Sequence, residues 1–135
     1  MTMLLKKSKQ RRGVTAVEFA LTVPILFAFL FATYEFGRAN MMRHTAEAAC
    51  YEGCRVAIVP GATAAEAIAA AEAILGTAGI TDAQVNVTPA TLQPDSPTVS
   101  VNITMRFQDN MLIFPTFLGE GASVDRTCEL SREVL

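Results

Sequence analysis

Arg11-Arg12-Gly13-Val14-Thr15-Ala16-Val17-Glu18-Phe19 opens an apolar run that continues to Tyr34, and the reading of this segment decides the fold. Residues 14–34 contain a single charged side chain, Glu18. At 1.5 Å per residue they form a helix about 31 Å long, enough to cross the hydrocarbon of a bilayer. A charge in that layer costs about 2.5–3.5 kcal/mol on insertion scales, so Glu18 calls for a partner and a task.

The charges flanking this run are asymmetric. Lys6, Lys7, Lys9, Arg11 and Arg12 precede Gly13 with no acid among them. The other six basic residues are all arginines and face 13 acids, so the chain beyond Gly13 carries −7 within a total of −2. An acidic body would repel phosphates, which argues against nucleic-acid binding. The basic leader reads instead as a topology signal, holding the N-terminus in the cytoplasm and sending the remainder outside. A cleaved secretory signal needs a small-residue cleavage site just after the apolar run, and Phe31-Ala32-Thr33-Tyr34-Glu35 offers no such site. Ala46-Glu47-Ala48 lies too far on, and Glu47 spoils a lipoprotein signal before Cys50. A retained transmembrane helix fits better. Pro24 inside it removes one backbone bond and should bend or loosen the preceding turn. Membrane helices tolerate this when packed against neighbours, which hints at a bundle.

The helical pattern continues past the apolar run until Pro60-Gly61. Ala39, Met42, Ala46, Cys50, Cys54 (or Gly53) and Ala57 recur at three- and four-residue steps, a narrow stripe that lets a second element approach closely. One helix is therefore expected over residues 14–59. Thr63-Ala64-Ala65-Glu66 has capping-box spacing and opens a second, alanine-rich helix that Gly76 should close. Residues 82–88 alternate with Val85 and Val87 on one side, and Pro89, Pro94 and Pro97 punctuate a loop. Val99, Val101, Ile103, Met105 and Phe107 then alternate with polar residues, the clearest strand in the chain. Residues 108–121 are irregular but greasy, either a cover for the sheet or helix or a docking surface. A last strand sets Val124, Arg126, Cys128 and Leu130 against Ser123, Asp125, Thr127 and Glu129. The expected fold is α+β on a membrane stalk, a long N-terminal helix packed on a small antiparallel sheet of about three strands. Its parts are a leader (1–13), a transmembrane half (14–34), an extracytoplasmic half of the helix (35–59) and a small α+β domain (60–135).

Chemistry-bearing residues are few. Cys50 and Cys54 stand one turn apart on one helix face, a strained spacing for a bridge between them. Cys128 should look toward that face, so a disulfide from Cys128 to Cys54 or Cys50 is expected. It would close a loop of more than 70 residues and contribute about 2–4 kcal/mol. His44, the one histidine, points to a different face, so a metal site with the cysteines is not expected. Asn86-Val87-Thr88 and Asn102-Ile103-Thr104 match glycosylation acceptors but read more simply as strand composition. No triad or phosphate-binding loop is recognisable, and neither an enzyme nor a cofactor is expected.

Gly13, a carboxylate five residues on and then Phe19 resemble the processing site of type IV prepilins and pseudopilins. Arg12-Gly13, Val17-Glu18-Phe19-Ala20, Pro24, Glu35-Phe36-Gly37-Arg38, Ala48-Ala49 and Glu52-Gly53-Cys54-Arg55 together resemble the TadE-like pseudopilins of the tight-adherence (Flp pilus) system. The likeness spans residues 11–56; Cys50 and Cys54 stand where the family usually has alanines, and Val14 where major type IV pilins have phenylalanine. The resemblance implies cleavage between Gly13 and Val14 by a prepilin peptidase, a membrane aspartic peptidase. It assigns recognition to Phe19 and assembly to Glu18, which can meet the new α-amino group of Val14 on its own or an adjoining subunit. It further implies a minor pseudopilin of the bacterial inner membrane that works with other pilin subunits and the assembly platform to build or prime a pilus. Two other readings remain: an uncleaved anchor bearing a protein-binding module, and an envelope redox or metal protein built on the cysteines.

Overall fold

The computed structural model describes residues 9–92, 97–111, 117–119 and 121–131, with side chains from residue 13 onward. Lys6, Lys7 and Pro94 lie outside these residues, as do the side chains of Lys9, Arg11 and Arg12 and the 112–116 part of the greasy stretch. The chain divides into two compact units, residues 1–34 and residues 35–135.

The first unit is helical. Helix α1 (Lys9–Ala57) begins before the expected start near Val14 and passes through Gly13 without a break. The flanking lysine, glutamine and arginines are good helix formers, and one glycine costs only about 1 kcal/mol against them. It also continues through Pro24, whose missing N–H leaves the Ala20 carbonyl without its usual helical donor. Phe19, Leu21, Leu26 and Phe29 are 66–69% exposed, and α1 is long and apolar enough to cross a membrane.

The second unit holds an α+β domain. Strands β1 (Gln84–Thr88), β2 (Thr98–Arg106) and β3 (Ser123–Ser131) form an antiparallel sheet in the order β1-β2-β3. The central position of β2 explains its strict alternation. Val99, Val101, Ile103 and Met105 are all buried, each stabilising the fold by about 1.5–3 kcal/mol. Edge strand β3 pairs Cys128 with Val101 and Val124 with Met105, yet only Val124 among its residues is fully buried. On the outer face, the Asn102 amide donates to Asp125 Oδ1 at 3.0 Å and to Thr127 Oγ1 at 2.9 Å. That amide is committed to the sheet, which favours strand composition over a glycan acceptor there.

Beyond residue 34, α1 covers β2 and β3 with the expected stripe. Ala39, Met42, Ala46, Cys50, Cys54 and Ala57 are all buried, joined by Ala49 and Gly53. Helix α2 (Ala64–Thr77) starts with a complete capping box: Thr63 Oγ1 accepts from the Glu66 N–H at 3.3 Å, and Glu66 Oε2 accepts from the Thr63 N–H at 2.8 Å. It meets α1 at Gly53 and buries Ala67, Ala71 and Leu75. Gly76 does not close it. The helix runs one residue further, and Gly79, at φ +65°, supplies the left-handed backbone of the exit. Of the greasy stretch, Met111 and Leu118 pack against the core while Phe117 remains exposed.

Gly53 marks the tightest approach. A Cβ there would lie 3.3 Å from the Ala67 carbonyl oxygen, 3.4 Å from Ala71 Cβ and 3.4 Å from Val101 Cγ1. Gly53→Leu should therefore destabilise the domain by about 1–3 kcal/mol, read as a lower denaturation midpoint of the detergent-solubilised chain.

Candidate functional site

The residues expected to carry processing and assembly lie together on the first unit of α1. A Cβ built on Gly13 would meet nothing within 4 Å, so the backbone there is unobstructed. Val14 and Phe19 are 59% and 68% exposed, and Glu18 is exposed as well. Four residues of separation put Val14 and Glu18 on one helix face, about 6 Å apart along the axis. Among the described residues nothing hydrogen-bonds the Glu18 carboxylate. Its backbone carbonyl accepts the Thr22 hydroxyl at 2.9 Å, and that of Phe19 does so at 3.2 Å. An acid on an apolar helix with a free carboxylate can receive a cation from outside its own side-chain set.

Glu35-Phe36-Gly37-Arg38 follows the apolar run, and two of its side chains prove to be organisers of the domain. The Glu35 carboxylate is 1% exposed and accepts the Phe117 backbone N–H at 2.8 Å. Arg38 donates from Nη1 to the Ala78 carbonyl at 2.7 Å and from Nη2 to the Asn110 carbonyl at 3.0 Å. Both sets of bonds tie loops distant in sequence to the same stretch of helix. Asn110, in a 3₁₀ turn at Gln108–Asn110, completes the arrangement. Its Oδ1 accepts the N–H groups of Thr81 and Asp82 at 3.0 Å each, and its Nδ2 donates to the Asp82 and Arg106 carbonyls at 2.7 and 3.1 Å. Sequence reading used Glu35 and Arg38 only as part of a family likeness and missed Asn110. The available signal was a pair of opposite charges immediately after the apolar run, where solvation is poorest.

The three cysteines meet where α1 crosses β3, as thiols. Cys50 Sγ donates to the Arg126 carbonyl at 3.2 Å, and Cys54 Sγ to the Cys128 carbonyl at 3.2 Å. Burial pushes the Cys50 thiol up to about 11 and the Cys54 thiol up to about 12, and the neighbouring Cys128 adds to both. His44 is elsewhere, 71% exposed on the surface with Nδ1 at 3.6 Å from Glu47 Oε2. Glu47 Oε1 also accepts from Arg126 Nε at 3.1 Å, tying α1 to the edge strand.

Residues 13–55 match the model of a protein family described as TadE-like, the family that the motif pattern of residues 11–56 resembles. No curated protein and no solved structure matches the chain. The matched segment takes in Gly13, Glu18 and Pro24, the Glu35–Arg38 group and the helix that docks on the sheet.

The thiols give a pH prediction. The folded chain holds the Cys50 and Cys54 protons more tightly than the unfolded chain does. Their contribution to stability is therefore full below pH 9, the ordinary thiol value, and is lost as pH rises toward 11 and 12. The reduced chain should melt at progressively lower temperature above pH 9, and Cys54→Ala should show a shallower alkaline decline than the parent.

Proposed function

We propose that the chain is a minor pseudopilin of the tight-adherence pilus. It would be a single-pass inner-membrane protein with its N-terminus in the cytoplasm, held there by Lys6, Lys7, Lys9, Arg11 and Arg12. A prepilin peptidase cuts between Gly13 and Val14, and the product joins other pilin subunits and the assembly platform to build or prime a filament for adhesion or secretion. The role is structural rather than catalytic. The observation that carries this reading is the TadE-like match starting at Gly13 on an apolar helix that presents Val14 and Glu18 on one face.

The chemistry of the segment supports the order of events. A protease takes its substrate extended, so the first turns of α1 must unwind at the cut. Helix ends fray readily, and glycine resists helix by about 1 kcal/mol relative to alanine, so unwinding is cheapest at Gly13. Cleavage then creates a cationic α-amino group on Val14. Opposite charges 4 Å apart attract by about 4 kcal/mol at an effective dielectric of 20, with desolvation offsetting part of this. Glu18 can meet that group on its own chain or on an adjoining subunit, which fixes the register of helices entering a bundle.

One observation favours a second reading, an uncleaved anchor for a protein-binding domain: α1 runs through Gly13 back to Lys9 with no break at the cleavage position. Gly13→Val separates the two. A pseudopilin accumulates as uncut precursor and piliation is lost, whereas an uncleaved anchor is unaffected. Glu18→Ala should be processed yet fail to assemble, and normal assembly would remove the role given to that carboxylate.

For the cysteines the proposed pair is Cys54 with Cys128, since Cys54 Sγ is aimed at the Cys128 backbone and Cys50 Sγ at that of Arg126. Two thiols would pass two electrons and two protons to an extracytoplasmic thiol oxidase of the disulfide-exchange class. Cys54→Ser and Cys128→Ser should each abolish a mobility difference between reduced and non-reduced chain, and Cys50→Ser should retain it.

A further inference from the structure

We infer that the domain seats Phe36 and Phe117 in the headgroup layer of the bilayer, so that a lipid surface is the partner of this corner of the molecule. The inference rests on residues 14–34 spanning the membrane. A span of that length uses up the roughly 30 Å of hydrocarbon, and the interfacial layer beyond it is about 5–8 Å deep on each side. Phe36 lies two residues after Tyr34, about 3 Å further along the helix, and is thus inside that layer.

Phe117 is brought to the same level by the fold. Its backbone N–H is held at 2.8 Å by the carboxylate of Glu35, the residue next to Phe36. Both rings are exposed in the domain, Phe36 by 56% and Phe117 by 49%. Isolated exposed aromatics need no explanation, but these two flank one buried carboxylate at the start of the domain. Neighbouring charges are arranged so as not to oppose the contact. Glu35 is turned inward to an amide, and the two terminal nitrogens of Arg38 donate to the backbone carbonyls of Ala78 and Asn110. Aromatic rings are favoured at the boundary between acyl chains and water, where an apolar body gains without full dehydration of the surrounding backbone. No cluster of lysine or arginine among the described residues contributes, so the contact is apolar in origin and should be indifferent to salt, unlike attachment through basic residues.

The chain contains no tryptophan, so a single introduced indole reports on its own position. Full-length Phe117→Trp, reconstituted in phosphatidylcholine vesicles, should emit at short wavelength. It should lose more emission to lipids brominated high on the acyl chain than to lipids brominated near the chain end, with no change in high salt. Phe36→Trp, a second exposed site, should behave alike. Phe27→Trp, within the apolar run, should be quenched most by the deep bromines. If the Phe27→Trp variant is not quenched, the spanning reading fails and the inference with it. If that variant is quenched while Phe117→Trp and Phe36→Trp emit as in water, the span stands and the lipid contact is wrong. Short-wavelength emission from Phe117→Trp without quenching would mean that a second protein surface covers the indole, and would equally overturn the proposal.

Discussion

A methyl group at Gly53 would crowd the Ala67 carbonyl oxygen of α2 at 3.3 Å and already touch Ala71 and Val101 at 3.4 Å, so nothing larger fits. That close approach is what the domain depends on. A helix studded with leucines would stand off from β2 and leave the inner faces of β1 and β3 without a cover. With alanines at 39, 46, 49 and 57 and cysteines at 50 and 54, α1 comes near enough for its thiols to hydrogen-bond the backbone of β3. Cores tolerate neither voids nor excess volume, so the stripe is constrained from both directions. Most of these residues fall in the segment matched to the TadE-like family, which ends at residue 55.

A second constraint lies where the apolar run gives way to the domain. Charged groups at this point have little water to turn to, and the fold supplies partners from its own backbone. Glu35 takes an amide from the loop containing Phe117, while Arg38 gathers carbonyls from the exit of α2 and from the 3₁₀ turn. Asn110 makes four side-chain hydrogen bonds that lock that turn to residues 81–82 and to the end of β2. Unmade bonds to buried groups of this kind cost about 1–3 kcal/mol each, so the cluster holds three loops to one helical turn. Glu18, by contrast, has a carboxylate that no described residue engages, on an exposed helix face. The acid after the apolar run serves the fold; the acid within it is the one to which the proposed assembly role falls.

Much of the fold was legible because it obeys local periodicities. The alternation from Val99 to Met105, the spacing of Thr63 and Glu66, and the small-residue stripe each express one element's own geometry. The errors came at boundaries, where several endings were locally acceptable. Gly76 looked like a stop, but a glycine in the last helical turn costs little, and the exit needed positive φ at Gly79 instead. Likewise Gly13 is a weak enough breaker that its basic neighbours carry the helix back to Lys9. The Glu35, Arg38 and Asn110 network was illegible because most of its partners are 28 to 82 residues distant, and loop geometry alone brings them together. The proposed preference for Cys54 over Cys50 was out of reach for a related reason. Both share one helix face, and only the register of β3 tells them apart.

The central claim is that this helix is released by cleavage after Gly13, so that the charge created at Val14 has Glu18 on the same face to meet it. Intact mass of the chain extracted from the membrane tests it most directly. The account predicts a species beginning at Val14, with any methylation visible as added mass. A chain that retains residues 1–13 in the assembled or membrane-resident pool would contradict it.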